Sequence, residues 1–283
     1  MQKYGLLVIS HGSRSAEWVG LVDDAVAAVR MPEDVPVSSS FLEIVEGRLI
    51  QDGIDELERQ GVTDLVVVPL FVSSGSTHID EIAYALGVQP EPSLETDLEP
   101  FRIEARVHFA SPIDDDPDVA RMLYANLAEL SADPAKEAVL LVGHGSKEKG
   151  FHRRWREGLR KLAERLKEQG GFAEAGTAML LPDQLACQIR SMRKRKPDLA
   201  VIVSPLFLSE GYFTKTVIPS RLEGLEYRYN GRALLPNPLV SRWIEKQAAA
   251  FLPHAALPSE EQGTGALPNN EIRVINEWPN VQD

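Results

Sequence analysis

The chain has 283 residues, of which 43% are hydrophobic and 25% are charged. This composition is typical of a soluble globular protein, and the length is enough for two ordinary domains. The single cysteine in this sequence, Cys187, excludes an intramolecular disulfide and a metal site built from several cysteines.

The first apolar run, Tyr4–Ile9, is six residues long. A secretory signal needs a longer apolar core, and a membrane-spanning helix needs about 20 apolar residues. We therefore expect a cytoplasmic protein that does not insert into a membrane.

Charge is distributed unevenly along the chain, although the net charge is −12. Residues 1–135 carry 8 basic and 25 acidic side chains, whereas residues 136–252 carry 21 basic and 12 acidic ones. Such a contrast has two explanations: the basic half binds an anionic partner, or the two halves attract each other. Charge alone favours neither explanation over the other.

Short apolar runs alternate with amphipathic stretches in the first half. The runs Tyr4–Ile9, Val37–Phe41, Leu65–Pro69 and Ile103–Phe109 are rich in Val, Ile and Leu, which is typical of strands buried in a parallel sheet. Between them, Ala16–Val29 and Arg48–Arg59 place apolar residues at helical spacing. A further helix is predicted from Asp116–Pro117 to about Leu130.

The second half of the chain repeats the first. The segment GLLVISHGS at 5–13 corresponds to AVLLVGHGS at 138–146. Likewise, DLVVVPLFVSSG at 64–75 corresponds to DLAVIVSPLFLSEG at 198–211. The spacing from histidine to proline is 58 residues in the first copy (His11 to Pro69) and 61 in the second (His144 to Pro205). Matches in the same order at nearly the same spacing indicate a tandem duplication.

The repeat sets the predicted architecture. Strands are predicted in the second half near 138–142, 175–180, 199–204 and 233–235, with helices near 149–169, 184–196, 215–223 and 239–251. We predict an α/β protein of two duplicated domains, 1–135 and 136–252, each a four-stranded, mostly parallel sheet flanked by helices. Residues 253–283 are rich in Pro, Gly, Ser, Asn and Glu, so we predict a partly disordered tail there.

Three polar residues follow the carboxyl ends of three predicted strands in the first half: His11, Glu43 and His78. These ends meet at one edge of a parallel sheet, which is where such sheets bind ligands. Two imidazoles and a carboxylate suit a borderline divalent metal, and imidazole is also a proton acceptor near neutral pH.

Each of the three also has an explanation without function. The His11 tripeptide can be a strand-to-helix turn, Glu43 can stabilise a helix start, and His78 can be a solvated loop residue. Taken together at one sheet edge, they favour a functional site. The chain has no G-x-G-x-x-G, phosphate-loop or G-x-S-x-G motif, which argues against a nucleotide enzyme or a serine hydrolase.

These residues resemble a known family. The HGSR sequence after the first strand, Phe41-Leu42-Glu43, and VVVPLFVSSGSTHIDEI at 66–82 are similar to the sirohydrochlorin chelatases, and residues 136–252 resemble a diverged second copy, as in the double-length members. The resemblance implies two α/β domains that face each other across a cleft. It also implies insertion of Co²⁺ or Fe²⁺, or Ni²⁺ in some members, into sirohydrochlorin without a nucleotide or other cofactor.

The same resemblance implies that His11, His78 and Glu43 are the catalytic residues and the metal ligands. An alignment without gaps puts Thr214 opposite His78 and Met179 opposite Glu43, while His144 survives. We therefore predict one active centre, in the first half, with the second half as scaffold and cleft wall.

The substrate of the family carries carboxylates, so the basic second half is expected to attract it. The substrate-binding residues predicted from the strand ends are Ser10, Gly12, Ser13, Arg14, Ser74, Gly75, Ser76, Thr77, His144, Lys147 and Lys215, with Lys149, Arg153 and Arg154 as further candidates. We expect a monomer, because the fused repeat can replace a homodimer, with no nucleic-acid partner. The alternative function is a carrier that binds a metal or a tetrapyrrole without catalysis.

Overall fold

The computed structural model describes residues 2–252, so the predicted tail lies outside the described residues. The first half contains the strands β1 (Tyr4–Ser10), β2 (Val37–Phe41), β3 (Asp64–Pro69) and β4 (Arg106–Phe109). They form one sheet of parallel strands in the order β2-β1-β3-β4. The apolar runs of the sequence therefore predicted these strands correctly, with β4 shorter at its start than expected.

The helices of the first half are α1 (Ala16–Ala27), α2 (Ile50–Arg59), α3 (Thr77–Ala85) and α4 (Pro117–Leu127). Local signals explain where two of them begin. The Ser15 hydroxyl accepts a hydrogen bond from the Trp18 amide at the start of α1. At the start of α4, the Asp116 side chain accepts from the Asp118 amide, and Pro117 occupies the first turn. Helix α3 is an element that the sequence analysis missed.

The second half repeats this arrangement with fewer strands. Strands β5 (Glu137–Gly145), β6 (Glu174–Leu181) and β7 (Ala200–Pro205) form a parallel sheet in the order β6-β5-β7. Its helices are α5 (Lys149–Gly170), α6 (Leu185–Arg195), α7 (Ile218–Arg221) and α8 (Pro238–Ala249), with a π-helical turn at Phe213–Val217 directly before α7. The α/β class and the duplication are confirmed.

The predicted fourth strand of the second half, near 233–235, is wrong. Gly231 adopts φ +75°, which turns the chain just before this segment. The Leu234 amide donates to the Phe207 carbonyl (3.0 Å), beyond the end of β7, and Pro236 has no amide hydrogen with which to continue a ladder. The second sheet therefore has three strands.

The last helix of each half packs against the other half. Helix α4 packs against α5 and β7, whereas α8 packs against α1, α4 and β3. The Ser241 hydroxyl in α8 donates to the Ala25 carbonyl in α1 (2.7 Å), and Lys246 pairs with Asp116 at the start of α4 (2.6 Å). The largest hydrophobic cluster accordingly contains residues from both sheets, such as Val8 and Val139. The two repeats form one packed body.

A helix that crosses a bilayer needs about 20 predominantly apolar residues. Within residues 2–252, none of the helices combines the length and apolarity that crossing a bilayer requires.

Candidate functional site

His11 lies directly after β1, in a turn that depends on Gly12. The His11 Nδ1 is 3.1 Å from the Gly12 carbonyl oxygen, which fixes the ring orientation. Gly12 has φ +102°, and a Cβ there would lie 2.1 Å from the backbone carbonyl oxygen of Glu43. Glycine is therefore required where the chain after β1 passes the chain after β2.

Glu43 stands beside His11, as the strand-end rule predicted. The Glu43 Oε1 is 3.5 Å from the His11 Nε2, and the Glu43 amide donates to the His11 carbonyl (3.1 Å). The two side chains are 39% (His11) and 54% (Glu43) exposed, so the pair faces solvent rather than the core. Backbone bonding holds the loop in place, while the carboxylate is accessible.

His78 is the second residue of α3, not a loop residue as the sequence suggested. Its Nδ1 is 2.5 Å from the Oε1 of Glu81, one helical turn further on. The other Glu81 oxygen accepts a hydrogen bond from the Thr96 hydroxyl (3.0 Å). Sequence reasoning missed Glu81, although the i,i+3 spacing would have shown the pair if α3 had been recognised.

The rings of His11 and His78 meet edge to face. Their centroids are 4.6 Å apart, with an interplanar angle of 74°. Each Nδ1 has a fixed neighbour, so each Nε2 is the nitrogen left to bind a ligand or a proton. In the described part of the chain, no three His, Cys, Asp or Glu side chains converge as a metal-binding group. The site is thus an open pair of imidazoles with one accessible carboxylate nearby.

Two groups have shifted pKa values: Glu81, which contacts His78, and His144 in the second half. Burial raises the pKa of Glu81, but the bonds from His78 and Thr96 and the charge of a protonated His78 or His11 outweigh burial, so the pKa is lowered from its ordinary value. Glu81 is therefore a carboxylate at neutral pH. Burial lowers the pKa of His144, which favours a neutral imidazole.

His144 occupies in the second half the position of His11 in the first. Its Nδ1 is 3.1 Å from the Gly145 carbonyl oxygen, and Gly145 has φ +79°. Charges on His78 and His11 contribute to the lowered pKa of His144. The segments before His144 and His78 also share a packing neighbour, because a Cβ on Gly143 would lie 2.8 Å from the Trp155 side chain and a Cβ on Gly75 would lie 2.4 Å from it.

The structural counterpart of Glu43 in the second half is not the residue that the ungapped alignment gave. A Cβ on Gly145 would lie 2.4 Å from the backbone carbonyl oxygen of Leu181, just as one on Gly12 would meet that of Glu43. Leu181, rather than Met179, is thus the counterpart of Glu43, because the ungapped alignment missed a shift of two residues. The second half has an apolar residue at the position of the carboxylate.

The counterpart of His78 also differs from the alignment. Thr214 is buried, and its hydroxyl bonds within its own turn to the Gly211 carbonyl (3.2 Å). Phe213 instead presents its ring edge to His144, with centroids 5.0 Å apart and an interplanar angle of 85°. This contact reproduces the one between His11 and His78, so a phenylalanine replaces the second histidine.

Several predicted substrate-binding residues have structural roles instead. Ser10 and Gly12 are buried, so neither offers a side-chain surface to a ligand. Gly75 is buried against α5, where a Cβ would lie 2.4 Å from the side chain of Trp155. The backbone amide of Ser74 donates to the Asp114 carboxylate (2.8 Å). These contacts fix the segment that leads into α3.

Other predicted substrate-binding residues are accessible at the surface. Partly or fully exposed are Ser13, Arg14, Ser76, Thr77, His144, Lys147, Lys149, Arg153 and Lys215. Lys215 forms an ion pair with Glu210 (3.3 Å), and Arg154 lies over the ring of Phe151 at 5.4 Å. Apart from Arg14 in the first half, these basic residues lie on the second half, in the turn and helix that follow His144 or on the π-helical turn.

Fold similarity gives the class of the protein. The structure of SirB from Bacillus subtilis with Fe³⁺ resembles this one with a TM-score of 0.64 at 20% identity, over 87% of this chain and 94% of that one. The likeness shows that the two proteins share a fold. The CbiX family model matches residues 5–130 and 138–250, once in each half. The chain belongs to the CbiX family.

Two curated relatives are each less than 30% identical to this chain. A sirohydrochlorin ferrochelatase of Priestia megaterium is 29% identical over 180 residues, which cover 62% of this chain and 61% of that protein. A sirohydrochlorin cobaltochelatase of Methanopyrus kandleri is 25% identical over 136 residues, or 44% of this chain and 94% of that protein. The match therefore spans about three fifths of the first relative's length.

Proposed function

We propose that this protein is a chelatase that inserts a divalent metal, Co²⁺ or Fe²⁺, into sirohydrochlorin. The observation that carries the proposal is the contact between His11 and His78, with ring centroids 4.6 Å apart and each Nδ1 already engaged. Both Nε2 atoms are left to act on one ligand. The family match and the names of the curated relatives point to the same reaction.

The metal is a substrate in this reaction, and its insertion releases two pyrrole protons. Neutral His11 and His78 offer nitrogen ligands to the incoming ion or accept those protons. Glu81 holds the His78 ring in place through Nδ1. Glu43, 3.5 Å from His11, takes a proton onward to solvent or joins the ligands of the metal. These residues supply the chemistry without a nucleotide or other cofactor.

The uneven charge of the two halves favours binding of an anionic substrate to the second half. Sirohydrochlorin is a carboxylate-bearing tetrapyrrole, and the first half of the chain would repel it. Lys147 and Lys215, both exposed on the second half, would attract its carboxylates. The duplicated chain thus offers a metal-handling half and an anion-binding half, and we propose that it acts as a monomer.

Turnover tests the proposal directly. Purified protein is mixed with a tenfold excess of metal-free sirohydrochlorin and with Co²⁺, Fe²⁺ or Ni²⁺ in separate reactions, and the absorbance change of the macrocycle is followed. We expect many equivalents of product per protein and a rate well above the reaction without protein. Product that stops at one equivalent would instead indicate a carrier.

Loss of Glu81 is expected to slow insertion without unfolding the protein. Glu81→Ala removes the partner of the His78 Nδ1 and should lower the rate by about 10- to 100-fold, whereas Glu81→Gln keeps an acceptor oxygen and should lower it less. The rate is measured with Co²⁺ at saturating sirohydrochlorin. Glu95→Ala, an exposed carboxylate beside Thr96, is the matched control. Equal rates for Glu81→Ala and this control would show that Glu81 does not position His78.

A further inference from the structure

The two halves share an arrangement of rings around their strand ends. In the first half, His78 lies between His11 (4.6 Å) and Phe71 (6.3 Å). In the second half, Phe213 lies between His144 (5.0 Å) and Phe207 (5.7 Å), and it stacks on the latter at 21°. The second half has therefore kept the ring cluster while replacing a proton-binding ring by an apolar one.

This apolar ring belongs to an exposed aromatic pair. Tyr212 is 70% exposed and Phe213 is 38% exposed, and their ring centroids are 5.8 Å apart. Both residues lie at the start of the π-helical turn, a backbone form that is frequent at functional sites. Neighbouring exposed aromatic rings form an apolar surface, and such surfaces often mark binding sites. The reaction steps proposed above use neither residue.

The aromatic pair is connected to the histidines of the first half through His144 and Trp155. Phe213 contacts His144. Trp155 packs against both turns, because a Cβ on Gly143, directly before His144, would lie 2.8 Å from its side chain and a Cβ on Gly75, three residues before His78, would lie 2.4 Å from it. Lys147 is exposed in the turn after His144, and Lys215, which pairs with Glu210 (3.3 Å) but keeps an exposed side chain, lies on the π-helical turn itself. An aromatic surface with cations beside it matches a flat conjugated ring that carries carboxylates at its rim.

We propose that Tyr212 and Phe213 form a stacking platform that binds the face of the tetrapyrrole across the cleft from His11 and His78. The inference rests on the proposed function and adds residues that determine substrate binding. The macrocycle lies on the aromatic rings of the second half, its rim carboxylates reach Lys147 and Lys215, and its central nitrogens face the histidines of the first half. The second half thus contributes affinity rather than chemistry.

Binding of metal-free sirohydrochlorin to the full chain, followed by the absorbance shift of the macrocycle, tests the platform. Tyr212→Leu combined with Phe213→Leu keeps apolar side chains but removes both rings, and should raise the Kd by about tenfold. Tyr212→Phe keeps the ring and should leave the Kd within about twofold. In steady-state insertion, the double variant should raise KM about tenfold with kcat nearly unchanged.

Tyr124→Leu is the matched control, because this tyrosine is 36% exposed and packs on Phe172, which follows the carboxyl end of α5. Its Kd should equal that of the unchanged chain. If the unchanged chain binds and metallates sirohydrochlorin and the double variant binds it equally well, the platform is overturned while the proposed function stands. If the unchanged chain neither binds nor metallates it, the proposed function itself fails. A fall in kcat at unchanged KM would also overturn the platform, because it would place the rings in the chemical step.

Discussion

Replacing His11 or His78 by alanine is expected to abolish metal insertion into sirohydrochlorin. The two rings touch, and each offers one nitrogen to the ligand, so neither can replace the other. Loss of a positioned acid-base group lowers rates by about 100-fold or more. The absorbance change of the macrocycle gives the rate, and circular dichroism verifies that the partly exposed side chains were removed without unfolding.

His144→Ala is the matched control for both variants. His144 sits in the equivalent turn, but its neighbours are Phe213 and Leu181 rather than a second histidine and a glutamate. We expect this variant to retain most of the insertion rate. If His144→Ala is as inactive as His11→Ala, the chemistry is shared between the two halves and the assignment of a single centre is wrong.

Gly12→Ala is expected to damage both stability and activity. Its left-handed φ of +102° costs an L-residue about 1–2 kcal/mol, and its Cβ would collide with the Glu43 carbonyl oxygen. Forcing that backbone apart adds about 1–3 kcal/mol, so the free energy of unfolding should fall by about 2–5 kcal/mol. Urea denaturation measures the loss, and insertion should fall as His11 and Glu43 separate.

Two other glycines allow the backbone cost and the steric clash of Gly12→Ala to be measured separately. Gly47 also has a positive φ (+74°), but a Cβ there would meet no heavy atom of the described residues within 4 Å. Gly47→Ala should therefore show the backbone cost alone, about 1–2 kcal/mol. Gly145→Ala repeats the clash in the second half, against Leu181, and should cost stability with a smaller loss of activity. A Gly12→Ala protein as stable as Gly47→Ala would contradict the close approach of the two turns.

Much of the fold could be predicted because the duplication shows most of the strands twice. The strand ends also located His11 and Glu43 correctly, since parallel strands bring their carboxyl ends to one edge. Helix α3 was missed because its first turn follows a Gly/Ser/Thr segment that is typical of a loop. Missing α3 hid Glu81, whose role depends on helical spacing from His78.

Other features depend on contacts between distant segments, which an ungapped alignment cannot show. Phe213 takes the place of His78 beside the strand-end histidine, although Thr214 is opposite His78 in the alignment. The burial of Gly75 against Trp155 of α5 likewise depends on how the halves pack. Gly75 therefore looks like a ligand-binding residue in the sequence but is a packing residue in the fold.

The exchange of α4 and α8 between the halves has a consequence for how this chain can evolve. Helix α8 covers the sheet that carries the histidine pair, and α4 covers the other sheet. A second half that has lost its carboxylate and one histidine cannot simply be deleted, because its last helix is a wall of the reactive half. After duplication, the surface of the second half was therefore free to change. Its core had to be kept, because the first half needs α8 in order to fold.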